Sequence, residues 1–582
     1  MNTQHYHHTA AASGAFNPFF PAFRRDMADG WLHHHQTHAN GENWLQAQQR
    51  EAINAPATDD DTDQLKARAV VYAARCKALA PEPFCLPQRV TEFVLSKGVT
   101  LPVVSAKATR FDGVSGKKAQ IEGVRLRITS EKWWVRRLRI QQGQQQELQA
   151  IRLGLVNAEK QAYVSDYGLS RVLAHQAKSL EWLDSMELID TSTGEVLPLK
   201  QAADAGVSNP VNRRNEMMLR IADGERFFTM DGYEAFFLTL TTPSKYHRFT
   251  RTGQHTKTDR MGVKHTIGGR VIPNPKYMAE INGETNTPKL AHKWQSVTWA
   301  RFRAAIQRRG IVAPYMRVTE PHHDGVTHWH GIVFVKPAQR KEYIRLLWVY
   351  WLRDDADEAG ASKHRVQVVK IDPKRGKAAG YIAKYIAKNI QTLGITGEDT
   401  SDHETGMDST DAATRVHAWR ARWVVRAFQF SQSFGRVSLW RELRRLKANA
   451  QGNAPLLDVA RFAADTGDYY GFLKLTSKHP DAFTFLEEDN AKPNRYGEIT
   501  QRVRGIIHPN GSTITRTHDW ELHQRSTENT NDAESACDGL IPALKGVCEP
   551  WSSVNNCTGD MSPSPMKETK GDLYRQAKGG AL

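Results

Sequence analysis

The feature that most constrains the fold is a succession of short apolar segments and longer amphipathic segments between residues 231 and 390. Short runs rich in apolar and β-branched residues, bounded by turn residues, indicate buried strands. Apolar residues recurring every three or four positions indicate helices. The segments follow one another in the order β-α-β-β-α-β-α, which predicts an α+β fold with a central antiparallel sheet and helices on one face. The strands are YEAFFLTLTT, APYMRVTE, THWHGIVFV and HRVQVVKID, and the helices are KLAHKWQSVTWARFRAAIQRRG, RKEYIRLLWVYWLRDDADEAG and KAAGYIAKYIAKNI.

Composition divides the rest of the chain into further segments. Both ends are polar and of low complexity, which indicates disorder, because such segments bury too little apolar surface to fold. We expect five parts: a disordered lead-in rich in His, Ala and Asn (1–65), a mainly helical basic accessory region (66–225), the α+β domain (226–450), a C-terminal accessory region (451–525) and a disordered tail (526–582).

The charge balance points to a polyanionic partner. The chain has 79 Lys and Arg residues against 63 Asp and Glu residues, a formal net charge of +16. Strongly basic chains commonly bind nucleic acid. The five cysteines show no paired metal-site spacing, no apolar run is long enough to span a bilayer, and the N-terminus lacks a signal-peptide pattern. We therefore expect a cytoplasmic protein that binds DNA and no membrane.

Two histidines stand at the start of the strand THWHGIVFV. His328 and His330 point the same way because alternate residues of a strand share a face, and Trp329 points to the opposite face. If the turn residues PHHDG form a hairpin, Glu320 on the preceding strand lies level with His328. Two imidazoles and one carboxylate with open positions predict a site for Mg²⁺ or Mn²⁺. The alternative is a sheet rim with incidental histidines, and His322 is an alternative ligand.

A second pattern lies on the helix YIAKYIAKN. At about 100° per residue, two tyrosines and two lysines fall on one arc, and the isoleucines occupy the other side. The residues on this arc are Tyr381, Lys384, Tyr385 and Lys388. A phenol between ammonium groups is expected to ionise more easily, and a phenolate is a nucleophile for phosphorus. The alternative is an ordinary amphipathic helix with tyrosines at its boundary.

These residues carry a family resemblance. His328-Trp329-His330 resembles the His-hydrophobe-His signature of the HUH endonucleases, and YIAKYIAKN is similar to the paired-tyrosine motif of their rolling-circle replication initiators. The segment FFLTLTTPSKYH resembles the first motif of those initiators. Further segments resemble the bacteriophage replication gene A proteins, and the likeness covers roughly residues 120 to 450: RVTEPHHDGVTHWHG, NPVNRRNEMMLR and FGRVSLWRELRRL.

The resemblance implies an HUH-type nuclease core that nicks one DNA strand at a replication origin, in the cytoplasm of a bacterial host. Tyr381 or Tyr385 would form a 5′-phosphotyrosyl link and leave a 3′-OH as primer, and the other tyrosine would allow the displaced strand to be rejoined. Lys384 and Lys388 would hold phosphates of the DNA. The sequence has no GxxxxGK[ST] motif, so unwinding would require a host helicase.

Three other functions compete with this hypothesis. A transposase or conjugative relaxase of the same nuclease fold would use the same chemistry. A DNA-binding protein with a structural metal site would form no covalent adduct. A metal-dependent hydrolase that activates water would need the histidines but not the tyrosines.

Overall fold

The computed structural model describes residues 62–258, 264–278, 286–358, 360–374, 376–390, 405–447 and 454–525. The predicted disordered tail and nearly all of the predicted disordered lead-in lie outside these residues. The first described helix begins at Thr62, within the last residues assigned to the lead-in. No helix in the described ranges is both long and apolar enough to cross a bilayer.

Helices make up about half of the described residues. The α-helices are α1 (Thr62–Leu79), α2 (Gln88–Ser96), α3 (Gly116–Ile128), α4 (Glu131–Arg152), α5 (Asp166–Asp184), α6 (Leu199–Ala205), α7 (Pro210–Met230), α8 (Pro275–Met278), α9 (Pro288–Arg308), α10 (Arg340–Trp351), α11 (Ala361–His364), α12 (Ala378–Asn389), α13 (Ser409–Trp423), α14 (Val437–Leu443), α15 (Pro455–Thr466) and α16 (Tyr469–Lys478). Short 3₁₀ helices cover Ser244–Tyr246, Pro337–Gln339 and Gln432–Phe434.

The strands form small sheets. They are β1 (Met186–Asp190), β2 (Val196–Pro198), β3 (Glu234–Leu240), β4 (Phe249–Thr258), β5 (Lys264–Pro273), β6 (Tyr315–Pro321), β7 (Thr327–Val335), β8 (Val366–Lys370), β9 (Phe428–Phe430), β10 (Thr484–Asp489), β11 (Gln501–His508), β12 (Gly511–Ile514) and β13 (Trp520–Gln524). The mixture of helix and antiparallel sheet confirms the predicted α+β class.

The central sheet has the strand order β8-β3-β7-β6-β9, and every neighbouring pair is antiparallel. Strand β7 lies in the middle and is buried along its whole length. Because side chains alternate between the two faces of a strand, β7 has to be covered on both sides.

Helices accordingly pack on both faces of the sheet, and the prediction of helices on one face is wrong. On one face α9 and α10 pack against Trp329, which is 1% exposed as expected for a core residue. On the other face α7 and α12 pack against Ile332 and Phe334. The reason lies in the strands, since apolar residues occupy both faces of β3 and β7 and both faces have to leave water.

The hairpin formed by β4 and β5 does not occur in the predicted order of elements. It pairs Phe249 with Pro273 at its base and Thr258 with Lys264 at its far end. Its segments are rich in Thr, Lys, Arg and Gly and lack an alternating apolar pattern. The periodicity that reveals a half-buried strand is therefore missing from this part of the sequence.

A further sheet joins segments that are far apart in the chain. Strand β1 pairs with β2 and also with β13, with Met186 opposite Gln524. Strands β10, β11 and β12 form another antiparallel sheet, which packs with α14, α15 and α16 around a core that includes Trp440 and Ile506. Local sequence patterns carry no information about the pairing of β1 with β13.

Candidate active site

Three side chains of the metal-ligand type converge on the face of the central sheet that α12 covers. The register of β6 and β7 places Glu320 directly opposite His328, as the hairpin hypothesis predicts. One ligand atom each from Glu320, His328 and His330 lies within 4.8 Å of the others. All three residues are buried. These three residues could hold a metal ion.

The chemistry of the histidine nitrogens fits a cation. The Nε2 atoms of His328 and His330 face each other at 2.9 Å. Burial lowers the pKa of both imidazoles well below the ordinary value, so each ring is neutral and has one unprotonated nitrogen. The Nδ1 atom of His330 lies 3.1 Å from the Thr239 hydroxyl oxygen, a contact that can keep the ring proton on Nδ1 and leave Nε2 as a ligand. Two neutral imidazoles and a carboxylate are a donor set suited to a divalent ion.

The sequence analysis assigned no role to Asn389, although this residue holds the carboxylate in place. Its side-chain amide donates a hydrogen bond of 3.2 Å to Glu320 Oε1, and the residue is fully buried. The Lys388 ammonium lies 3.9 Å from Glu320 Oε2. Both contacts come from the last turn of α12. The sequence signal for a role of Asn389 was its position directly after the Tyr-Lys pattern. Its partner could not be known without the fold.

The turn before β7 carries further polar groups around the site. The ring of His322 stacks on that of His328 with centroids 4.0 Å apart. The described metal-ligand group consists of Glu320, His328 and His330, so His322 is placed beside the ligands and outside this group. His247 Nδ1 lies 2.7 Å from Asp324 Oδ2, and this contact contributes to holding the pKa of the buried Asp324 carboxyl well below its usual range. The pairing of His247 with Asp324 was missed by the sequence analysis.

The tyrosine helix lies directly against the metal-ligand group. Burial of Ile382 and Ile386 fixes the rotation of α12, and Glu225 of α7 accepts a hydrogen bond of 2.8 Å from the Ala378 amide at the start of the helix. The ring of Tyr385 stacks on His330 with centroids 3.9 Å apart. Tyr381, one turn earlier, has its ring centroid 6.1 Å from that of Phe237, the residue whose ring also stacks on Tyr385.

The two lysines take different positions around the tyrosines. Lys384 is exposed, and its Nζ atom lies 4.8 Å from the centroid of the Tyr385 ring. Lys388 is turned inward, with its Nζ atom 4.6 Å from the centroid of the Tyr163 ring as well as near Glu320. The structure thus brings all seven predicted site residues to one region of the molecule.

The expectation that the ammonium groups make the phenol easier to ionise is wrong for Tyr385. Burial raises the pKa of Tyr385 well above its ordinary value, and the negative charge of Glu320 raises it further. The opposing effect of Lys388 is smaller than these two. The main cause is burial of the phenol, and Lys388 does not offset it because the Glu320 carboxylate lies beside the same ammonium group.

The chain resembles a family of phage proteins over more than half of its length. The family model for the bacteriophage replication gene A protein matches residues 84–392. This range includes every predicted site residue and ends just after the tyrosine helix. No solved structure gives a significant match to the chain.

Curated relatives extend the resemblance. The "Replication protein" of Haemophilus phage HP1 is 32% identical over 463 residues, which cover 78% of this chain and 55% of that protein. The "Replication gene A protein" of Escherichia phage P2 is 31% identical over 462 residues, covering 75% of this chain and 56% of the relative. A "Probable replication endonuclease from prophage-like region" of Salmonella paratyphi A is 32% identical over 452 residues, covering 74% of this chain and 52% of that protein. The chain spans little more than half the length of these relatives.

Proposed function

Because the chain belongs to the bacteriophage replication gene A protein family, we propose that it is a replication initiator endonuclease that nicks one DNA strand at an origin. The observation that supports this function best is the position of Tyr385. Its ring lies on His330, in a group where Glu320, His328 and His330 converge. We assign the central sheet and α12 to an HUH-type nuclease core, in which ligands on adjacent strands face a nucleophile on the covering helix.

Glu320, His328 and His330 would hold the divalent cation, Mg²⁺ or Mn²⁺. When bound, such a cation polarises an oxygen of the scissile phosphodiester and offsets its negative charge. Thr239 orients His330, and Asn389 orients Glu320. Because these contacts exist in the protein before substrate binds, little reorganisation is needed at the moment of reaction.

The proposed reaction is a transesterification at phosphorus. The hydroxyl oxygen of Tyr381 or Tyr385 forms a bond to the phosphorus, and the bond from phosphorus to the 3′ oxygen breaks. The phenol loses one proton and the 3′ oxygen gains one, so no proton is consumed overall. The products are a 5′-phosphotyrosyl link and a free 3′-OH that primes synthesis.

Two tyrosines on one helix suit a rolling-circle cycle. One tyrosine holds the 5′ end while the other cuts the regenerated origin, after which the displaced strand is rejoined. Lys384 would contact DNA phosphates from its exposed position. Lys388 would contact a phosphate closer to the metal-ligand group, beside Glu320. We place the reaction in the cytoplasm of the bacterial host, with a host helicase and the replication machinery as partners.

The test is a search for a covalent adduct. The wild type, Tyr381→Phe, Tyr385→Phe and the double variant are each mixed with Mn²⁺ and end-labelled single strands tiled from the surrounding genome. Tyr350→Phe is the matched control, because Tyr350 lies on α10 at the opposite face of the sheet. We expect label that stays with the wild type and the control through denaturation. It should be weaker in one single variant and absent from the double variant.

Other outcomes identify the competing functions. Cleavage that survives the double substitution means that water is the nucleophile. Duplex binding without cleavage or adduct on any strand means that the metal site is structural. A transposase or relaxase would give the same adduct, but it would not cut at a phage replication origin. The genome position of the cleaved strand therefore distinguishes these enzymes from a replication initiator.

A further inference from the structure

Two arginines and a histidine form a cluster at the C-terminal end of the tyrosine helix, next to the metal-ligand group but outside it. Its members are Arg213 on α7 and His417 and Arg420 on α13. We call these three residues the arginine cluster. Arg420 Nη1 donates a hydrogen bond of 3.1 Å to the backbone oxygen of Asn389, the residue whose side chain holds Glu320. Only Asn389 therefore separates the cluster from a predicted metal ligand.

His417 holds the guanidinium of Arg420 in position. Arg420 Nη2 lies 3.2 Å from His417 Nδ1, and the other ring nitrogen of His417 lies 2.8 Å from the Gln176 amide. A guanidinium only donates hydrogen bonds, so Nδ1 has to be the acceptor and His417 has to be neutral. Burial, reinforced by both arginines, lowers the pKa of His417 to about 4, which agrees with this assignment.

The positive charges of the cluster are not neutralised by the described protein. In the described ranges, neither Arg213 nor Arg420 forms an ion pair with an acidic side chain. The Nε atom of Arg213 is buried and has no hydrogen-bond partner there. Burial lowers the pKa of Arg420 to about 10, and the positive charge of nearby Arg213 adds a smaller contribution. Two guanidinium groups held close together without an acid are costly unless an anion binds between them.

A purely structural role accounts for only one of the arginines. Arg420 caps a carbonyl in the last turn of α12, where a cation is favoured by the helix dipole. Arg213 makes no such contact with the described residues. Its buried Nε atom, on α7 beside α12, instead has no acceptor among the described residues.

We propose that Arg213 and Arg420 bind a backbone phosphate of single-stranded DNA that flanks the scissile phosphate. Guanidinium groups match the oxygens of a phosphate with paired donors. Arg420 bonds the carbonyl of Asn389, one helical turn after Tyr385, so a strand held at the tyrosines would carry its neighbouring phosphates toward the cluster. The site positions the strand and takes no part in bond making or breaking. This inference rests on the proposed function for its substrate, but it concerns residues that function does not use.

The test measures DNA affinity separately from chemistry. Binding of a fluorescein-labelled mixed-sequence single strand is followed by anisotropy in EDTA at several salt concentrations, for the wild type, Arg213→Gln, Arg420→Gln and the double variant. Each single substitution should weaken binding about five- to tenfold. The slope of log K against log salt should fall by about 0.7 when one phosphate contact is lost. Arg345→Gln is the control, because Arg345 is paired with Glu342 on α10 at the opposite face of the sheet.

Lysine variants show whether a loss of DNA affinity comes from the lost positive charge or from a failure to fold. Arg213→Lys and Arg420→Lys should restore most of the salt slope, and thermal melting reports whether any variant is unfolded. Because Arg213 caps no helix end and its Nε atom bonds no described residue, Arg213→Gln carries the test if Arg420→Gln does not fold. Unchanged affinity and unchanged slope in a folded Arg213→Gln would overturn the proposal.

Two further measurements keep this proposal distinct from the proposed function. With Mn²⁺ and DNA below saturation, adduct formation by the variants should fall in step with their DNA affinity, whereas slower adduct formation with unchanged affinity would overturn the phosphate-binding role. If the wild type forms no adduct but the salt slope still depends on Arg213, the nuclease function fails and the phosphate site stands. If inorganic phosphate stabilises the wild type but not the double variant and DNA affinity is equal in both, the cluster binds free anions and the DNA assignment is wrong.

Discussion

The aromatic ring of Tyr385 lies on the imidazole of His330, with ring centroids 3.9 Å apart and the planes inclined by 26°. This contact joins the tyrosine helix to β7, the strand that carries two of the candidate metal ligands. His330 is fixed in turn by Thr239 on the neighbouring strand. The candidate nucleophile is therefore held by packing against a candidate metal ligand, and a change in either residue is expected to affect the other.

The ring contact predicts a difference between two substitutions of Tyr385. Tyr385→Phe keeps the stack on His330 and should leave the free energy of unfolding within about 0.5 kcal/mol of wild type. Tyr385→Ala removes the ring and should lower this free energy by about 2 kcal/mol, because it leaves a cavity beside Phe237. Urea denaturation followed by circular dichroism measures both values. Equal losses in the two variants would show that the hydroxyl group matters more than the ring.

The hydrogen bond from Asn389 to Glu320 predicts an effect on metal affinity. Asn389→Ala should weaken Mn²⁺ binding about tenfold, because groups that orient a ligand contribute affinity without touching the metal. Isothermal titration calorimetry on the metal-free protein measures the dissociation constant. Asn490→Ala is a matched control, since that side-chain amide bonds Thr500 in the connection between β10 and β11, away from the site. An unchanged dissociation constant in a folded Asn389→Ala would contradict the positioning role.

The buried histidines predict a loss of stability in acid. Burial lowers the pKa of His328 and His330 in the folded protein, whereas unfolded imidazoles have a pKa of about 6.5. Below that pH the unfolded chain binds more protons than the folded one, so the stabilisation present above about pH 6.5 is lost as the pH falls. The loss is about 1.4 kcal/mol per pH unit for each histidine that stays neutral.

The measurement is the free energy of unfolding in EDTA at neutral pH and near pH 5. The double variant His328→Gln/His330→Gln should show a weaker dependence on pH than the wild type. The exposed His175→Gln serves as the control and should keep the wild-type dependence. If the double variant loses stability with falling pH as steeply as the wild type, other groups are responsible.

The turn that leads into β7 predicts a requirement for glycine. Gly325 has φ of +83°, and a Cβ atom there would lie 3.1 Å from the carbonyl oxygen of Tyr163. Gly325→Ala should lower the free energy of unfolding by about 2 kcal/mol through backbone strain and this close contact. Gly232 has φ of +75° with no atom within 4 Å, so Gly232→Ala should cost about 1 kcal/mol from strain alone. Urea denaturation of the pair tests whether the contact adds to the strain.

Local patterns in the sequence were sufficient to locate most of the site. The two-residue period of a strand put His328 and His330 on one face and Trp329 on the other, and the structure confirms both. A hairpin of the right length was enough to place Glu320 opposite His328. These predictions succeed because the periods of strands and helices are set by backbone geometry, which is the same in every fold.

The sequence by itself thus determined the α+β class, the three metal-type ligands and the shared face of the tyrosines. Only the tertiary structure decided that Asn389 holds Glu320, that His247 pairs with Asp324, and that β1 pairs with β13. It also reversed the expectation for the Tyr385 phenol, since a pKa depends on burial and on charges that arrive from other strands. The physical reason is one of range. Periodicity is a property of neighbouring residues, whereas burial and charge pairing arise between residues that only the folded chain brings together.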